Sequence, residues 1–145
     1  MFNIYSIFAG WISVSFGERK DNDYSCTGKN GEIISFSYLD DVKEMLDNLF
    51  DLEEGQRKVK EFDLEGDVID IYTRLNNGTI YIICNYKYTE NQEQYSYNFP
   101  YKNFLEEYVA TMREYKDLYL REFAYHEEGY EWDNKYWNNI VRKIK

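Results

Sequence analysis

Asn77-Gly78 is the most constraining pair in the chain. It sits between two runs of strand-forming residues, Val68 to Arg74 and Thr79 to Tyr88. Asn-Gly favours the tight turn whose central residues take positive φ, and that turn joins neighbouring antiparallel strands. A second Asn-Gly lies in Gly28-Lys29-Asn30-Gly31, between a short strand near Tyr24–Thr27 and a return strand from Glu32 to Tyr38. Residues 2–8 and 11–16 are also strand-like, with Gly10 at the bend between them. In the second of these, Ile12, Val14 and Phe16 share one face and the two serines share the other. Lys58 to Leu64 precedes the break Glu65-Gly66-Asp67, and a last strand over Tyr95-Ser96-Tyr97-Asn98-Phe99 ends at Pro100.

Helical spacing interrupts this series once and then closes it. Val42, Met45, Leu46, Leu49 and Phe50 fall at i, i+3, i+4, i+7 and i+8, one apolar stripe. Asp40 or Asp41 is a suitable N-cap and Gly55 a suitable residue just past the helix end. Two more helices are expected, over about 101–123 and about 131–144, separated by Tyr125-His126-Glu127-Glu128-Gly129. Hairpin turns with no βαβα alternation imply an α+β fold. The expected architecture is one antiparallel sheet of about five to seven strands, one helix inserted after the N-terminal strands, and two C-terminal helices. A chain of 145 residues is expected to form a single domain.

Twenty-seven acidic side chains against 17 basic ones give a net charge of −10. An acidic surface repels the nucleic-acid backbone and anionic lipid, so neither is an expected direct partner. It attracts a basic protein. A charge that only keeps the chain soluble produces the same composition. No apolar run reaches the length of a membrane span. The start, Met1 to Gly10, has no preceding Lys or Arg and carries Asn3 and Ser6, so it reads as a first strand rather than a signal peptide. The protein is therefore expected in the cytoplasm, with Cys26 and Cys84 as small buried hydrophobes.

Catalytic signatures are sparse. His126 is the single histidine, in an acidic turn, and no GxSxG elbow accompanies it. HExxH and paired-cysteine motifs are missing, and Asp21-Asn22-Asp23 lacks the spacing of a calcium loop, so no metal or cofactor is expected. Thr27-Gly28-Lys29-Asn30 echoes a phosphate loop but has Asp23 where the motif needs glycine and Asn30 where it needs Ser or Thr. The adjacent pairs Glu53-Glu54, Glu106-Glu107 and Glu127-Glu128 read as solvated faces. Asn77-Gly78-Thr79 matches a glycosylation sequon, which the turn already explains. The expectation is a non-enzyme. A small enzyme using His126 and a carboxylate is the alternative from another class.

Acid and tyrosine are what remain. Carboxylates concentrate in residues 40–54, 61–70 and 127–133, and there are 16 tyrosines. Tyrosine is enriched in interfaces, although alternating tyrosines such as Tyr86, Tyr88, Tyr95 and Tyr97 also fill ordinary sheets.

One segment resembles a known family. Ile34-Ser35-Phe36, the helix entered at Asp40-Asp41-Val42, Phe62-Asp63-Leu64-Glu65-Gly66-Asp67, Asn77-Gly78-Thr79-Ile80, Tyr95-Ser96-Tyr97-Asn98-Phe99 and Phe104-Leu105 follow one another as they do in immunity proteins of bacterial polymorphic-toxin systems, in particular WapI-like ones. The shared order is strand, helix, F-x-L-E-G strand, hairpin and final helix. The resemblance covers about residues 33–110, and the tail from Arg113 to Lys145 departs from it. It implies a cytoplasmic protein that neutralises a toxin by tight, non-catalytic binding. No binding residues carry over from it.

The expected function is thus an acidic inhibitor of a basic toxin, with a nuclease suited to the charge. Carboxylates would mimic phosphates in the blocked site. Glu53, Glu54, Glu65 and Asp67 are the candidate partner-binding residues. A phage-type anti-defence protein or DNA mimic is the alternative, and carboxylates in rows would favour it. The amphipathic terminal helix, with Trp132 and Trp137, suits docking on this chain or on a second copy.

Overall fold

The computed structural model describes residues 1–8, 10–17, 33–37, 42–88, 93–123, 132 and 134–145. The expected strand at 24–27, the turn at 28–31, Cys26, the Asp40 and Asp41 caps, and His126 with its acidic turn lie outside the described residues.

The fold is α+β. Seven strands form two antiparallel sheets rather than one. The first sheet joins β1 (Phe2–Phe8), β2 (Trp11–Phe16) and β3 (Ile33–Ser37) in sequence order. After α1 (Val42–Phe50), the second sheet joins β4 (Arg57–Asp63), β5 (Val68–Asn76), β6 (Thr79–Tyr86) and β7 (Gln94–Pro100), also in order. The helices α2 (Tyr101–Glu114), α3 (Lys116–Phe123) and α4 (Lys135–Lys143) follow.

Local chemistry explains most boundaries. Asn77 and Gly78 both have positive φ, +52° and +73°, as the two-residue turn requires, and Asn76 pairs with Thr79 across it. The expected helix over 101–123 is divided at Tyr115, where neither glycine nor proline stands. The Tyr115 amide still reaches the Thr111 carbonyl at 3.2 Å and the Tyr119 amide reaches Tyr115 at 2.8 Å, so the division is a local kink. Gly55 does not end α1. The helix stops at Phe50, and Gly55, at φ +85°, turns the chain into β4 with its amide on the Leu75 carbonyl at 2.8 Å. The last carbonyls of α1 are satisfied from elsewhere. Lys58 Nζ donates to Asn48 and Asp51 carbonyls at 2.8 and 2.7 Å, and the Tyr101 hydroxyl donates to the Phe50 carbonyl at 2.6 Å.

One hydrophobic core runs through both sheets and α1, α2 and α4. Its centre is aromatic: Phe50 lies 4.9 Å, ring centre to ring centre, from both Phe104 and Tyr108, and Phe2 lies 4.9 Å from Tyr108. Strand alternation fills it from the second sheet, with Ile69, Ile71, Leu75, Ile80, Ile82 and Cys84 all buried. The terminal helix docks on its own chain, burying Trp137 and Ile140.

Two charges are buried with this core. Lys43 and Asp47, one turn apart on α1, form an ion pair with neither side chain exposed. The Tyr108 hydroxyl donates to Asp47, and the Lys43 ammonium sits 4.8 and 4.5 Å from the Trp132 and Trp137 ring centres. Burial pushes the Asp47 carboxyl above its ordinary value, and Lys43 pulls it back.

Candidate functional site

Since one face of the second sheet covers the core, the alternate residues must face outward. Strand register arranges those that span all four strands in three rungs. Arg57, Arg74, Tyr81 and Asn98 are successive cross-strand partners from β4 to β7. Val59, Tyr72, Ile83 and Ser96 form the next rung, and Glu61, Asp70, Asn85 and Gln94 the one after. The face is therefore graded along the strands: cationic, then apolar, then acidic.

The acidic rung is partly offset from within. Lys87 pairs with Glu61 and lies 3.3 Å from Asp70. The hydrogen bond to Glu61 is the main reason its ammonium titrates above the ordinary value. The apolar rung is open, with Val59 56% and Tyr72 42% exposed. The cationic rung is also open. Neither Arg57 nor Arg74 has a carboxylate partner among the described residues. Arg74 instead lies 4.7 Å from the centre of the Tyr81 ring. This end of the face holds a depression of about 450 Å³, lined by Arg57, Tyr72, Arg74, Tyr81, Ile83 and Asn98 among others. Its residue types, aromatic and arginine around an apolar centre, are those that dominate protein interfaces.

The four carboxylates expected to bind a partner do not converge. Glu53 and Glu54 precede β4, and Glu65 and Asp67 follow it, so the seven-residue strand holds the pairs apart. At roughly 3.3 Å per residue that is about 23 Å. Two of the four, Glu54 and Asp67, hold backbone amides of the fold. Glu54 accepts from the Asn77 and Gly78 amides and so holds the β5–β6 turn. Asp67 accepts from the Val68 amide at 2.7 Å and the Tyr88 amide at 3.0 Å. Glu53 is 3.2 Å from Lys143. Glu65 is exposed at the β4–β5 turn, where its φ is +55°.

A second depression, of about 440 Å³, lies between α4 and the end of α1. Its cations are engaged: Lys143 with Asp51 at 2.7 Å, Lys58 with the Asn48 and Asp51 carbonyls, and Arg142 with Asn139. That makes it a helix-capping cluster. No group of three or more His, Cys, Asp or Glu that could hold a metal occurs among the described residues. No described helix is long and apolar enough to cross a membrane.

Sequence reasoning missed the open face because it followed charge density rather than strand parity. The available signal was Val59, an apolar residue alone between Lys58 and Lys60, on the same parity as Arg57 and Glu61. Compared with protein-family models, curated proteins and solved structures, the chain matches none.

Proposed function

We propose that this protein is a non-catalytic inhibitor that binds a basic protein, in the manner of an immunity protein neutralising a bacterial toxin, with a nuclease as the toxin class that suits its charge. The observation that carries this reading is the open face of the second sheet. An apolar rung with a 56% exposed valine and a 42% exposed tyrosine is what a recognition surface needs at its centre. The charge of −10 acts at longer range, drawing a basic partner in and speeding encounter. The DNA-mimic alternative needs carboxylates in open rows. Glu54, Asp67, Glu61, Asp70 and Asp51 are instead turned to amides and lysines of the same chain, so the sheet-face reading is the one favoured.

Affinity capture from the native cell lysate tests the proposal, with wild-type protein and a Val59→Asp/Tyr72→Ala variant as baits at low and high salt. One stoichiometric basic protein is expected on the wild type, captured more slowly at high salt and lost on the variant. Recovery of no partner, or equal capture by both baits, overturns it.

A further inference from the structure

We infer that the paired guanidinium groups of Arg57 and Arg74 take the carboxylate of an acidic side chain on the partner protein, with an apolar side chain two residues away seated on Val59, Tyr72 and Ile83. This deepens the reading of the sheet face as the contact surface and rests on it.

Among the described residues only the side chains of Lys43, Lys87 and Lys143 have carboxylate partners. Arg57 and Arg74 have none among those residues, and what sets them apart from the other cations is position: register places them directly opposite each other on one face, and both line the same depression. Cross-strand partners on the same face stand within side-chain reach, and an anion between two such groups removes their mutual repulsion. Arginine presents a planar fork that matches a carboxylate with two parallel hydrogen bonds. The Tyr81 ring stacked near Arg74 limits the freedom of that fork before anything binds.

Geometry adds the second element. The Val59–Tyr72–Ile83 rung is two residues along the strands from the arginine rung. An extended peptide also places residues two apart on one side, at the same spacing. An acid and an apolar residue at i and i+2 therefore meet both rungs at once. The acidic third rung, already occupied by Lys87, offers such a peptide no free cation and sets its direction.

The test is an amide-shift NMR titration of the full chain with three probes: acetyl-Ala-Glu-Ala-Leu-Ala-amide, its glutamine twin, and inorganic phosphate. The glutamate peptide is expected to shift amides at 57–59, 72–74 and 81–83. The glutamine twin, and the glutamate peptide on Arg57→Gln/Arg74→Gln, are each expected to bind about tenfold more weakly or worse, the loss of a charge-assisted pair. The double variant should keep the wild-type melting temperature, because neither arginine is ion-paired with a described residue. No shift at these amides, equal binding of the glutamine twin, or phosphate binding as tightly as the glutamate peptide would each overturn the assignment. The outcome separates from that of the proposed function. A positive titration with no captured partner sinks the inhibitor reading alone. A captured partner that ignores the double variant sinks this one alone.

Discussion

Removing the amine of Lys43 isolates a carboxylate in the core. Both members of the Lys43–Asp47 pair are 0% exposed, so water cannot replace the lost partner. Breaking a buried pair by deleting one member costs about 3–5 kcal/mol, because a buried charge is left uncompensated. Lys43→Met is expected to lose that much, a melting-temperature drop of roughly 10–16 °C for a chain of this size. The loss should depend on pH in a defined direction. Burial already raises Asp47 above its ordinary 3.8, and without Lys43 the carboxyl rises further. A carboxyl whose folded pKa exceeds its unfolded one stabilises the fold below the unfolded value and loses that contribution as pH rises through the folded value. The variant should therefore be nearer wild type at pH 4.5 than at pH 8. Adding Asp47→Asn removes the charge and keeps an acceptor for Tyr108, and should bring stability back to within about 1–2 kcal/mol of wild type. Urea denaturation at several pH values measures all of this. A single variant as stable as wild type at pH 8, or a double variant no better than the single, refutes the reasoning.

Three further outcomes follow from the same geometry. Gly78→Ala should cost about 1–2 kcal/mol from the backbone alone, read as a lower urea midpoint at constant m, because φ is +73° and no atom within 4 Å obstructs a Cβ. Phe50→Ala should cost about 3–5 kcal/mol in the same assay, since its ring is fully buried between those of Phe104 and Tyr108; a loss under about 1 kcal/mol contradicts the packing. Burial pushes the Cys84 thiol from 9.0 to about 12, so its contribution holds below pH 9 and is lost between 9 and 12. Wild type should thus lose about 1.4 kcal/mol per pH unit more than Cys84→Ala over that range, and parallel declines in the two proteins would refute this.

Local signals in the sequence led to correct local structure. The Asn77-Gly78 turn set β5 against β6, the Val42–Phe50 stripe gave α1, and Pro100 ended β7. What escaped was non-local. Whether seven strands make one sheet or two depends on which edges meet, and no residue of β3 or β4 announces that these strands belong to different sheets. Lys43 and Asp47 look like surface residues on α1, because the tryptophans that enclose them come from far along the chain. The carboxylates of Glu54 and Asp67 were legible as charge but not as turn caps, since the Gly78 and Tyr88 amides that they accept from lie more than twenty residues further along the chain.

The tryptophan enclosure has a consequence for the order of assembly. Lys43 and Asp47 are made well before Trp132 and Trp137. Until those tryptophans arrive, the pair remains hydrated, and closing a loop of about ninety residues carries an entropic cost of its own. Docking of α4 is therefore a drying step, in which ammonium and carboxylate exchange their water for aromatic walls. The return path begins with water entering at the same place. Native-state hydrogen exchange should find α4 opening before the β5–β6 ladder, and a ladder that exchanges first would reverse that order.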